Sequence, residues 1–239
     1  GIIVFDCIFL FLGPFQTLDA GIMMRNASFY FFLALILMSL PVRGSNWELI
    51  KEDNGIRVYS KSNPSSDFIE IKAVSEVAST IESFVALMND VDNFKNWMHA
   101  AKEAKLIKRT GEYHYTYYLL SDLPWPAQDR DVVLSLSIHR DPETNAVYTK
   151  SRNVDGVIGE KEGIQRIQSV QTSWRFVPDS ADKIKIIFHT RVLPNVTLPD
   201  WLAQRIYHRG PYNTITNMKN VIRHQKYTKA RVDMEQLSQ

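Results

Sequence analysis

Cysteine is almost missing from this 239-residue chain: Cys7 is the only one. A disulfide framework is therefore excluded, and so are a thiolate metal site and a cysteine nucleophile anywhere beyond position 7. Charge of one sign is missing too. The 28 basic and 26 acidic side chains leave a net charge of +2, too small for a nucleic-acid binder. No repeat or low-complexity linker interrupts residues 46–239, so that stretch reads as one domain. Catalytic signatures are absent as well: there is no G-x-S-x-G, no H-E-x-x-H, no Walker loop and no dinucleotide-binding glycine pattern. The six histidines never stand three or four apart, so helical metal ligation has no candidate. These absences point to no cofactor, no metal and no enzyme class.

Long apolar runs are also scarce. The run at 27–40, ASFYFFLALILMSL, follows Met23-Met24-Arg25-Asn26 and precedes Pro41-Val42-Arg43-Gly44-Ser45. A short basic region, an apolar core and small residues make a secretory signal peptide at 23–45, cut near Gly44 or Ser45. The apolar run is shorter than the ~20 residues a bilayer-spanning helix needs. A periplasmic or secreted protein is expected, with an N-terminal membrane anchor as the alternative. Residues 1–22 read as an upstream or non-native segment, because the Met-Met pair suits the start.

What is present is strand-forming sequence. GIRVYSK (55–61) follows the turn signal Asp53-Asn54-Gly55, and FIEIKAVSEV (68–77) alternates apolar and polar residues. A helix follows, with Ser79 and Glu82 at capping-box spacing and Ile81, Phe84, Met88 and Val91 on one stripe. Further strands are predicted at 106–108, 113–120, 132–139, 146–151, 166–177 and 184–193. A final helix carries Tyr212, Ile215, Met218 (or Lys219) and Ile222 on one face. Strands segregated from helices imply an α+β fold, an antiparallel sheet with a helix laid across it and space for a cavity between them.

Aromatics and arginines among the strands are the positive signal for a site. Tyr113, Tyr115 and Tyr117 share a strand face, as a cross-strand ladder or as a cavity wall whose hydroxyls hold a polar group. Arg130, Arg166 and Arg191 sit in or beside strands, where a buried guanidinium needs a carboxylate, a carbonyl or an anionic ligand. Arg130, flanked by Asp129 and Asp131, is read as a structural ion pair at the start of a strand. Segment 201–232 holds seven Lys and Arg and no acid. It is either a face for anionic membrane or a solvated helix end favoured by the dipole.

Five stretches together resemble the START (STAR-related lipid-transfer) family: WELIKEDNGIRVYSK, NDVDNFKNWM, LPWPAQDRDVV, GIQRI with TSWRFVP, and LPNVTLPDWLAQRIYHRGPYNTITNMKNVI. The match spans nearly all of 46–228 in the family's order and suggests a single-domain member of bacterial type. Pro194-Asn195 departs from the family's proline-glycine turn. The resemblance implies a helix-grip fold, a curved antiparallel sheet around a long C-terminal helix enclosing a hydrophobic tunnel. It also implies a non-catalytic role: binding a lipid or other hydrophobic molecule, and carrying it between membranes. The residues expected to line the tunnel are Trp97, Tyr115, Tyr117, Trp125, Arg166, Trp174, Arg191, Ile215, Met218 and Ile222. The alternative is a polyketide cyclase-type enzyme using the same cavity, with His189 as its acid–base candidate.

Overall fold

The computed structural model describes residues 47–61, 66–180, 182–193 and 199–238. The expected signal at 23–45, the upstream segment at 1–22 and the Pro194-Asn195 turn lie outside the described residues. Chain order is β1 (Trp47–Asp53), β2 (Ile56–Lys61), β3 (Ile69–Ala78), α1 (Ile81–Asn89), then a 3-10 turn, Val91–Asn96. β4 (Ala101–Gly111), β5 (His114–Ser121), β6 (Arg130–Arg140) and β7 (Val147–Asn153) follow. β8 (Gln165–Arg166), β9 (Val170–Ser180) and β10 (Lys183–Val192) complete the strands. The C-terminal helical run is α2 (Asp200–Gln204), a π-helical turn at Arg205–Arg209, and α3 (Gly210–Val221); α4 (Gln225–Thr228) lies in the tail.

The sheet has the order β1-β2-β3-β10-β9-β7-β6-β5-β4, antiparallel along this path, with β8 joined to β6 in parallel. It opens on the hairpin that the sequence announces: Asn54 and Gly55 have φ of 48° and 69°, and Asp53 pairs with Ile56. Positive φ at both central residues is the type I′ turn, whose twist matches that of the flanking strands. Register shifts interrupt β1 between Leu49 and Lys51 and β4 at three places. Such bulges bend strands, and here they fall on the two outer strands of the order. The antiparallel sheet and C-terminal helix are the helix-grip architecture expected above.

Three local expectations are corrected. The N-cap of α1 is Thr80, whose side chain accepts from the Ser83 amide at 3.3 Å; the amide of Ser79 instead donates to the Asp182 carbonyl. β4 runs over eleven residues rather than 106–108, because its bulges and charged residues blur the two-residue period. The single strand expected at 166–177 is two: the chain pairs with β6 at Gln165–Arg166 and then restarts at Val170 as β9.

The core lies between the inner face of the sheet and the helices. Ile215, Met218 and Ile222 are buried there, with α3 turning its apolar stripe inward as the spacing predicts. The α1 end is filled with rings. Phe84 stacks on Phe176 with centroids 4.3 Å apart, and Trp97 meets Phe94 and Trp174 edge-on at 5.3 and 5.8 Å. A second, smaller cluster forms on the opposite face, where Ile158 and Ile164 cover Tyr118, Leu120 and Val133.

Candidate functional site

At the other end of the sheet the inward positions shrink, and space opens. β10 presents Phe188, Thr190 and Val192, β9 presents Val170, and the helix presents Gly210, Pro211 and Thr214. Between these walls lies a cavity of about 740 Å³, within the roughly 300–1,000 Å³ of ligand pockets. Its mouth is the β5–β6 loop, from Ser121 through Trp125, together with His99 and Ala100.

The helical wall has a local cause. Pro211 carries no amide hydrogen, so the carbonyl one turn earlier cannot receive a regular helical bond. The chain takes a π turn over Arg205–Arg209 just before it. A π turn inserts a residue and re-aims those within it; Arg205, Ile206 and Tyr207 all line the cavity. The helix is tied to the mouth by His99, whose amide donates to Thr214 Oγ1 at 3.0 Å. Burial, and then the charge of Arg205, hold the His99 imidazole below its usual value.

Arg130 is the buried charged group of the cavity wall; Asp122 and the exposed Arg205 also border it. Register places Arg130 opposite Ser121, both turned inward, and it is 8% exposed. Its neighbours in sequence serve others. Asp129 pairs with Lys102 at 3.1 Å and accepts from the Leu123 amide, which fastens the loop. Asp131 points to the opposite face and takes both prongs of the Arg166 guanidinium, at 2.6 and 3.0 Å. Burial lowers the pKa of Arg130 and raises that of Tyr207, and each is partly opposed by the other's charge. Guanidinium and phenol both line the cavity.

Of the ten residues expected to line a tunnel, only Trp125 borders this cavity, and it does so from the rim, 87% exposed rather than anchored in the core. Trp97, Tyr115, Tyr117, Trp174, Ile215, Met218 and Ile222 are packed in the core. Their layer adjoins the cavity where Trp174 meets Phe188 at 4.5 Å. Tyr115 donates to the carbonyl of Met88, closing the end of α1, and burial pushes the Tyr115 and Tyr117 hydroxyls well above the ordinary phenol range. Arg166 is corrected from cavity wall to ion pair: it is bound to Asp131 and to the carbonyls of Ile158 and Gly159, beneath the outer cluster. Arg191 is corrected to the outer face, where its guanidinium lies over the Phe68 ring at 3.9 Å. His189 also faces outward and bonds Glu70 at 3.3 Å, which removes the acid–base group named for a cyclase.

Sequence reasoning missed Arg130 as a wall residue, along with Ser121, Thr190, Tyr207 and Thr214. Inward parity was available for Thr190, which alternates with Phe188, and for Ser121, which alternates with Leu119. No pattern marked Tyr207, whose direction depends on the π turn.

No protein-family model matches the chain. It is 29% identical over 178 residues to an uncharacterized protein of Pseudomonas aeruginosa, covering 73% of this chain and 86% of that one. It is 25% identical over 171 residues to the phosphatidylcholine transfer protein of Rattus norvegicus, covering 70% of this chain and 78% of that one. Among solved structures, a STAR-related lipid transfer protein fragment from Xanthomonas axonopodis superposes with a TM-score of 0.68 at 24% identity. That match covers 75% of this chain and 99% of the fragment. Human STARD10 superposes with a TM-score of 0.64 at 17% identity, covering 87% and 80%. The fold is thus that of the START class of helix-grip domains. This chain has the START fold, with its sequence similarity running through lipid-transfer proteins.

Proposed function

We propose that the chain binds one lipid in the cavity and exchanges it at an anionic membrane surface, without catalysing a reaction. The observation that carries this reading is a cavity of about 740 Å³ with mainly apolar walls and one buried arginine, Arg130, near its mouth. Acyl chains entering such a space gain about 0.8 kcal/mol per buried CH₂. A guanidinium donates in a fixed fork that suits a phosphate, and Ser121 and Tyr207 supply neutral hydroxyls beside it. A phospholipid is therefore the ligand class. The similarity to phosphatidylcholine transfer protein supports the same choice.

The membrane-facing part is the mouth. Trp125 is 87% exposed and Trp201 53%, and between them stands Arg205, which borders both the cavity and the concavity around Trp201 and Arg209. Exposed tryptophans favour the headgroup level, and each arginine near an anionic surface contributes about 1 kcal/mol. Not all of the basic segment is available for this. Lys219 donates to Ser75 at 3.3 Å and Lys226 pairs with Asp90. We further propose that residues 23–45 direct export, which N-terminal sequencing of the protein from its native host tests.

Native mass spectrometry of the purified chain is expected to show one phospholipid per molecule. Arg130→Met, in chain that melting curves show to be folded, is expected to lower phospholipid occupancy at least tenfold. A chain that carries no lipid and takes none from phosphatidylcholine vesicles would overturn the reading.

A further inference from the structure

The face of the sheet turned away from α3 carries a second concavity, of about 490 Å³. Strand register builds it. In one row across β6, β7 and β9, Lys150 stands between Ser137 and Ser173. Two residues along, Gln171 on β9 stands between Arg152 on β7 and Arg191 on β10. Strands lie about 4.8 Å apart and rise about 3.3 Å per residue. The Cα atoms of Arg152 and Arg191 are thus roughly 10 Å apart, with that of Lys150 roughly 7 Å from that of Arg152. At that span three long side chains reach a common point above the groove.

The charges there are not matched by the protein. No carboxylate lies within ion-pair distance of Lys150, Arg152 or Arg191 among the described residues. Glu70, which pairs in register with Arg191, is the acid at that end, and it is bound to Lys61 and His189 instead. The Arg191 guanidinium lies over the Phe68 ring at 3.9 Å. Between the cations the sheet offers hydroxyls and an amide rather than apolar side chains. Three permanent positive charges with neutral donors between them suit a multivalent oxyanion, and guanidinium forks select phosphate geometry.

We propose that this outer groove is a second binding site, separate from the lipid cavity, that takes a multivalent phosphate. The same chemistry is presented by a soluble oligophosphate and by the phosphomonoester headgroup of a membrane lipid.

Calorimetric titration of the full chain with sodium tripolyphosphate tests this. One site per chain is expected, weakened about tenfold by Arg152→Gln or Arg191→Gln. Binding is expected to be lost in the double variant and unchanged in the charge control Lys229→Gln. Melting curves establish that each variant is folded. Amide shifts in the unsubstituted protein give a second reading that needs no variant: Ser137 and Ser173 are expected to move while Thr214, in the lipid cavity, does not. Vesicles of phosphatidylcholine with phosphatidic acid identify the source. Retention that depends on Arg152 and Arg191 assigns the phosphate to a lipid headgroup, and tripolyphosphate binding without retention assigns it to a soluble ligand. The proposal is overturned if neither ligand binds at millimolar concentration, or if Lys229→Gln weakens binding as much as the groove substitutions.

Discussion

Removing the guanidinium of Arg166 strands the Asp131 carboxylate, whose side chain is only 1% exposed, on the covered side of the sheet. A buried ion that loses its partner costs about 3–5 kcal/mol, more than the intact pair contributes over an apolar pair. Arg166→Ala is therefore expected to lower unfolding free energy by about that amount in urea titration. The double replacement Asp131→Leu with Arg166→Met is expected to recover most of the loss. A double variant as unstable as the single one would show that the pair organises the β6–β8 contact beyond its charges. Arg130, the adjacent residue, behaves oppositely because strand alternation turns it to the other face. Its buried side chain lines the cavity instead. Two arginines of the same region thus exchange the roles that composition suggests. Asp129 and Asp131 both flank Arg130 in sequence, yet Lys102 and Arg166 hold them in space.

The C-terminal tail clasps α1. Ser83 donates to the Tyr227 carbonyl at 3.2 Å, and the Tyr227 hydroxyl donates to Asp90 at 2.6 Å. Further along, the Tyr113 hydroxyl reaches the Asp233 carbonyl, and Leu237 is buried to 2% exposure. Burying two large side chains contributes about 1.5–3 kcal/mol each. Truncation after His224 is then expected to cost about 3–6 kcal/mol in chemical unfolding, while leaving the sheet's circular dichroism signal in place. A truncated chain as stable as the full one would show that the tail is only draped on the core. The tail's part in the fold was not legible in the sequence, because Tyr227 and Leu237 stand in a polar stretch without period. Elements with a strong period were legible: the Asn54-Gly55 hairpin, the alternation of β3, and the Ile215-Met218-Ile222 stripe. What blurred the others was local. Bulges broke the period of β4, and the three-residue break Ile167–Ser169 was invisible beside the apolar alternation of β9. The cavity was least legible. Its walls come from separate stretches of chain whose approach no local pattern records, and of the aromatic residues chosen as its walls all but Trp125 fill the core instead.

At the scale of the whole molecule, the cavity is a defect that its occupant repairs. The α1 end is close-packed with rings, whereas the mouth end leaves about 740 Å³ between Phe188, Thr190, Val192 and the helix. A void of this kind forgoes contacts on every wall, so the lipid-free chain sits below its full stability. A ligand that binds only the folded state adds RT ln(1 + [L]/Kd), about 2.7 kcal/mol at a hundredfold excess over Kd. For a domain of this size each kilocalorie moves the midpoint by about 2–4 °C, so saturation with phospholipid is expected to raise it by about 5–11 °C. The comparison is made by calorimetry on delipidated chain, with and without phosphatidylcholine. The same chain with Arg130→Met serves to separate headgroup from acyl contributions. The variant is expected to gain less over its own lipid-free midpoint, because its acyl contacts are intact and its headgroup donor is gone. Equal gains in both chains would leave the cavity as an acyl-chain site with no headgroup selectivity. No gain in either would mean that the space between sheet and helix is not where lipid binds.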